Sequence, residues 1–164
     1  MEKYKKKSKT GSSTSLIYEG EKDYRKINYL KDYKEAESII NGIKILEENI
    51  PETIQSPIYF DINNKEIDIL KITYTQEKLS PWINSEWITG MQLFFLGETI
   101  IKQQKLLIEN NLTLVDARPQ NYWLASKTGK LVDLASIKPL NNQNFLSFET
   151  DFKKYFILPL LLEK

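Results

Sequence analysis

Between residues 114 and 136 the chain sets two acids and an asparagine into or beside two short apolar runs, "LVDARPQNYWL" and "KLVDLAS". Unpaired charge in such surroundings is costly, so the placement asks for a metal, a ligand or a tight hydrogen-bond network. Asp116 and Asn121 flank a turn stiffened by Pro119, and the turn "SKTGK" brings the chain back so that Asp133 ends the returning strand. A hairpin of this kind carries an amide and a second acid on facing segments.

Composition narrows the chemistry. The 164 residues include neither cysteine nor histidine, which removes disulfides, thiolate metal sites and the usual neutral-pH general base together. Carboxylates, lysines and hydroxyls are left to do any work. The 23 basic and 22 acidic side chains nearly cancel, so no overall field collects nucleic acid or acidic lipid, and no specific nucleic-acid partner is expected. The amino terminus has the charge of a signal peptide without its apolar stretch. The longest apolar run, Phe156 to Leu162, is too short to span a bilayer. A soluble, cytoplasmic protein is the expectation.

The pattern along the chain predicts one domain overall, with a basic flexible tail at 1–12, strands and a helix at 13–79, and a helix-rich part at 80–164. Ser13 to Tyr18 and Tyr24 to Leu30 read as paired strands around "EGEKD". Asp32 to Ile50 reads as an amphipathic helix behind a capping aspartate, bent near Asn41-Gly42 and ended by Pro51. Two more strands form a hairpin around Asp61-Ile-Asn-Asn64. "TQEKLSPWINS" reads as a connector leading to a cap at Ser85. The longest helical pattern runs from Glu86 to Asn110, with Trp87, Ile88, Met91, Phe94, Phe95, Ile101, Leu107 and Ile108 as its apolar stripe and Asn110-Asn111 as a left-handed stop. After the hairpin and a polar loop, an amphipathic segment from about Phe148 to Leu162 is interrupted by Pro159. Phe152, Phe156 and Leu160 are expected against the long helix, while Leu158, Leu161 and Leu162 have no companions among the preceding elements.

The order of these elements, with "DARPQNYWL" and "LVDLAS" in place, resembles the protein-kinase-like fold, whose serine/threonine members carry Asp-Leu-Lys-Pro-x-Asn-x-Leu-Leu and Asp-Phe-Gly. The resemblance implies an α+β protein: a small antiparallel N-lobe sheet with one helix, a long central helix, a catalytic-loop-like hairpin and a truncated C-lobe. It implies Asp116 as catalytic base, Arg118 as the cation facing the transferring phosphate, and Asn121 and Asp133 as ligands of magnesium bound with ATP. The strand lysine and helix glutamate of such proteins are sought in Arg25 or Lys26, with Glu35 or Glu37 as partner. Several features depart from the pattern. Leu114 and Val115 stand where histidine and arginine usually precede the loop aspartate, Ala135 replaces the glycine of Asp-Phe-Gly, and no Gly-x-Gly-x-x-Gly occurs.

A narrower resemblance rests on "SPWINSEW", "LTLVDARPQN", "KLVDLASI" and "FKKYFILPLLL", over roughly residues 80 to 162. These are similar to the kinase-like amino-terminal region of a bacterial family of S-adenosylmethionine-dependent methyltransferases, in which Trp87 would be a family marker. It implies a fused or associated methyltransferase domain as partner, with the methyl-donor site outside this chain. Three functions follow: a regulatory or binding module that holds a magnesium-nucleotide, an active small phosphotransferase using Asp116, or a ligand-free structural domain. About 30 residues follow Asp133, few for the substrate surface of a complete enzyme, so the binding module is preferred.

Overall fold

The computed structural model describes residues 5–6, 15–63, 70–79, 88–125 and 127–162. The chain divides into two units, Met1–Glu37 with Ser56–Ser80, and Ser38–Gln55 with Pro81–Lys164.

The first unit is built on an antiparallel sheet of β1 (Lys5–Lys6), β2 (Ser15–Glu19), β3 (Asp23–Leu30), β4 (Tyr59–Asn63) and β5 (Leu70–Glu77), in the order β1-β2-β3-β5-β4. β-branched and aromatic residues recur in β2 to β5, as a pleated and partly buried surface favours. Part of the basic amino-terminal segment thus supplies an edge strand, Lys5–Lys6 pairing with Tyr18 and Glu19. Register decides which side chains share a face, because directly opposed residues point the same way. Lys26 is opposite Tyr74 and Asn28 is opposite Ile72, whereas Arg25 is opposite Thr75. Asp61 and Asn63 lie within β4 and pair with Thr73 and Lys71, so the strand continues through residues that the sequence suggests as a turn. Asn64 lies outside the described residues. β5 likewise runs on to Glu77, into the stretch read as a connector.

Helix α1 (Tyr33–Asn49) begins as expected. Asp32 Oδ1 accepts from the Glu35 backbone N–H at 3.0 Å as the helix cap, and Glu35 Oε2 accepts from the N–H of the preceding Lys31 at 3.0 Å. Ala36, Ile39, Ile43 and Leu46 are its buried stripe. The helix continues through Asn41-Gly42, where the sequence suggests a bend. Gly42 serves a close approach instead, since a Cβ there would stand 2.5 Å from Ile137 Cγ2.

In the second unit α2 (Gly90–Glu109) starts behind Thr89, whose hydroxyl accepts from the Gln92 N–H while the Gln92 side chain accepts from the Thr89 N–H. The expected start at Glu86 is therefore too early, Ile88 and Thr89 being outside the helix; Ser85, Glu86 and Trp87 lie outside the described residues. The expected stripe is also corrected. Met91, Phe94, Ile101 and Ile108 are exposed, and the buried face carries Leu96, Ile100, Gln103, Gln104 and Leu107. α2 is apolar on more than one side, so its neighbours choose the face. Gly97 marks that choice, because Phe156 and Phe152 come to 3.6 and 3.8 Å of where its Cβ would be. The helix ends at Asn110, and Asn111 takes the left-handed conformation at φ 58°.

Two short strand pairs follow. β6 (Leu112–Leu114) pairs with β9 (Ile137–Pro139), a ladder within what reads in part as a polar loop. β7 (Tyr122–Ala125) pairs with β8 (Thr128–Leu131) as the expected hairpin. α3 (Asn142–Phe152) begins earlier than expected because Asn141 Oδ1 caps it through the Asn144 N–H at 2.8 Å. It passes through a π-helical turn, Lys153–Ile157, into α4 (Leu158–Leu162). Pro159, which has no N–H to donate, sits just past this wide turn, so the helical path is widened rather than broken there. Phe148, Phe152 and Phe156 stack with centroids 5.6 and 5.1 Å apart, while Leu158, Leu161 and Leu162 are exposed. Among the described residues no helix is long and apolar enough to cross a membrane.

Candidate functional site

The loop between β6 and β7 is held by buried polar side chains of α2. Gln104 Nε2 donates to Thr113 Oγ1 at 2.7 Å and its Oε1 accepts from the Leu114 N–H at 2.9 Å, fixing the strand that enters the loop. Gln103, wholly buried, donates to the Thr53 carbonyl at 2.6 Å and accepts from the Tyr122 hydroxyl at 2.9 Å, fixing the strand that leaves it. A buried amide with both ends bonded rigidifies what it touches. Two adjacent glutamines thus clamp the two arms of the loop.

Backbone bonds gather the sequence-selected residues around this frame. The Val115 N–H donates to the Ser136 carbonyl at 2.8 Å, and the Ser136 N–H and hydroxyl donate to the Asp133 carbonyl at 3.1 and 2.7 Å. Across the hairpin, the Val132 N–H donates to the Asn121 carbonyl at 2.9 Å. Asp116 follows Val115 and Asp133 follows Val132, so Asp116, Asn121 and Asp133 flank one small hydrogen-bonded frame.

Asp116 adopts φ 56°, a left-handed conformation that costs most residues on the order of 1–2 kcal/mol but that aspartate tolerates. Its carbonyl accepts from Asn121 Nδ2 at 2.7 Å and from the Arg118 N–H at 2.8 Å. Pro119 opens the 3₁₀ turn Pro119–Asn121 that makes this geometry possible. The Asp116 carboxylate forms an ion pair with Arg118 Nε, which also lies 3.5 Å from Asp151 Oδ2. Arg118 additionally covers the Tyr155 ring, 5.5 Å from its centroid.

The other side of the frame differs. Asn121 uses its Nδ2 on Asp116, and its Oδ1 forms no hydrogen bond among the described residues. Asp133 caps nothing with its side chain, and its half-buried carboxylate makes no hydrogen bond or ion pair among the described residues. It acts at a distance on Tyr122, whose hydroxyl is held well above its ordinary pKa by burial and further by the Asp133 charge. Two uncommitted oxygen donors on bonded segments suit a hard cation such as magnesium, which takes few protein ligands and completes its shell with water and phosphate. No group of three or more acidic side chains able to hold a metal occurs among the described residues.

In the sheet, the two candidate cations separate. Arg25 is exposed, whereas Lys26 is half-buried on the face of Asn28, Ile72 and Tyr74, its ammonium 5.8 Å from the Tyr74 ring centroid. The expected ion pair with Glu37 is not formed: Glu37 lies on the exposed face of α1 and makes no ion pair among the described residues. Glu35, the other candidate, is occupied by the Lys31 N–H. Sequence reasoning missed Gln103, Gln104, Asp151 and Tyr155. The glutamines had a signal, since they stand at helical spacing between Ile100 and Leu107, where a purely structural face would be apolar.

Among solved structures, that of monomeric WbdD is similar over 98% of this chain and 41% of its own length, with 17% identity and a TM-score of 0.55. A second WbdD structure at 2.2 Å resolution gives 14% identity and a TM-score of 0.53, over 90% of this chain and 36% of WbdD. Amicoumacin kinase, solved with AMP-PNP and Ca2+, is similar over 96% of this chain and 72% of its own, at 10% identity and a TM-score of 0.56. The fold is protein-kinase-like. The likeness is one of fold alone at these identities, and this kinase-like chain spans about two fifths of the length of WbdD. No family model matches the sequence. No curated protein matches it either.

Proposed function

We propose that the chain is a kinase-like module that holds a magnesium-nucleotide through Asn121 and Asp133. The observation that carries this reading is the pair of uncommitted oxygen donors, Asn121 Oδ1 and the Asp133 carboxylate, on segments joined by the Val132-to-Asn121 bond. Magnesium bound there would bridge and neutralise nucleotide phosphate oxygens. Asn121 and Asp133 hold the cation, Arg118 faces phosphate, and Lys26 rather than Arg25 is the sheet cation of choice, being half-buried where Arg25 is exposed. Asp116 is the base in a catalytic version of the site. Its pairing with Arg118 favours a binding or regulatory role over turnover. WbdD is a bifunctional kinase-methyltransferase, and we extend the proposal to a methyltransferase domain, fused or associated, as the partner of this module.

Thermal unfolding with and without ATP and magnesium tests the reading. A ligand that binds only the native state stabilises it by about 2.7 kcal/mol at a hundredfold excess over Kd. The melting temperature of the wild type should rise, and Asp133→Ala should abolish the rise. No rise in the wild type at millimolar nucleotide removes the binding function and leaves the fold untouched.

A further inference from the structure

Asp151 and Tyr155 stand four residues apart across the junction of α3 and its π-helical turn, and both reach Arg118. Asp151 is the more fixed of the two carboxylates around this guanidinium, its side chain 15% exposed against 42% for Asp116. Nε is the guanidinium nitrogen nearest to both carboxylates, and it has no aligned hydrogen bond, so charge and ring contact rather than bond geometry hold it. The terminal nitrogens, which carry most of the guanidinium's donors, make no hydrogen bond among the described residues. The side chain is 39% exposed, so those nitrogens have access to a ligand.

We propose that Asp151, with Tyr155 against the guanidinium face, is a positioning residue: it holds the Nε edge of Arg118 so that the terminal nitrogens meet a phosphoryl oxyanion beside Asp116. The inference rests on the kinase-like reading of Arg118 and deepens it. A planar guanidinium recognises phosphate through parallel N–H donors, so its orientation matters as much as its charge. Orientation also gives the idea a distinctive sign. A carboxylate that merely contributed charge would repel an anion, and removing it would tighten binding. A positioning carboxylate weakens binding when removed.

The experiment titrates inorganic tripolyphosphate into the full chain by calorimetry, with magnesium-ATP titrated in parallel. Asp151→Asn should weaken tripolyphosphate binding about tenfold, on the order of one oriented charge-assisted contact. In an Arg118→Ala background the same substitution should cost nothing further, and Asp151→Glu should recover part of the loss. Should Asp151→Asn fail to fold, Tyr155→Leu carries the same expectation of weakened, Arg118-dependent binding. Unchanged or tighter binding by the folded variant, an equal loss in the Arg118→Ala background, or no tripolyphosphate binding by the wild type overturns the proposal. The nucleotide reading fails separately: Arg118- and Asp151-dependent tripolyphosphate binding without magnesium-ATP binding would sink that reading and leave the positioning role standing.

Discussion

At the start of the β6–β7 loop, Asp116 and Arg118 are paired with each other, and Asp151 and Tyr155 close around the guanidinium. At its far end Asn121 Oδ1, and across the hairpin the Asp133 carboxylate, have no partner among the described residues, although the Val132-to-Asn121 and Ser136-to-Asp133 backbone bonds hold the segments that carry them. In the first arrangement each charge already has a partner within the protein. The second has its geometry fixed and its donors left over, at a cost that folding alone does not repay. The contrast separates an acid that the fold uses from an acid that the fold only positions.

The largest expected effect lies behind both ends, in the buried glutamine that holds Tyr122. Gln103→Leu would leave the Tyr122 hydroxyl and the Thr53 carbonyl without their partner in a dry interior. Buried groups left unsatisfied cost about 1–3 kcal/mol each, so a loss of about 2–4 kcal/mol is expected in urea unfolding. The same cluster sets an alkaline limit. The Tyr122 phenol ionises near 10.0 when unfolded and higher when folded. Its contribution is therefore complete below that pH and is lost as pH rises above it. Tyr122→Phe should flatten the decline in stability above pH 10. A decline of equal slope in the variant would show that other groups govern it.

Asp116→Asn tests the paired end and should have a smaller effect. The pair with Arg118 is about two-fifths exposed on both sides, so its loss should cost at most about 1 kcal/mol. Asparagine also accepts the left-handed backbone at this position. Nucleotide binding should persist in this variant if Asn121 and Asp133 hold the metal. ATP consumption by the wild type that vanishes with Asp116→Asn would replace the binding-module reading with active phosphotransfer.

Much of this contrast was legible in the sequence, and what was not has physical reasons. The spacing of Asp116, Asn121 and Asp133, the β7–β8 hairpin and the left-handed Asn111 follow from turn chemistry and alternation within a short window. The buried face of α2 was not legible, because a helix apolar on several sides does not say which side its neighbours will cover; Gly97 and the phenylalanine stack decide that from some 50 residues away. Asp151 and Tyr155 were hidden for the same reason, since only the packing of α3 brings them to Arg118. The Glu37 pairing was inferred by analogy alone, and the exposed face of α1 denies it.

The smallest effect is the one that defines the unpaired end. Asp133→Asn keeps the shape of the side chain and removes its charge. Because the carboxylate supports no cap, hydrogen bond or ion pair among the described residues, the ligand-free protein should lose no more than about 0.5 kcal/mol. At alkaline pH the substitution acts the other way, because the Asp133 charge adds to the burial that makes ionised Tyr122 unfavourable. Neutralising it should lower the folded phenol's pKa and soften the alkaline decline slightly, in the same direction as Tyr122→Phe. Denaturant titrations at pH 7 and above pH 10 measure both. A loss of 2 kcal/mol or more at pH 7, on the scale of about 1–3 kcal/mol for a buried bonded group, would mean that Asp133 is a structural residue after all. In that case the difference between the two ends of the loop, and with it the main support for a metal at Asn121 and Asp133, would disappear.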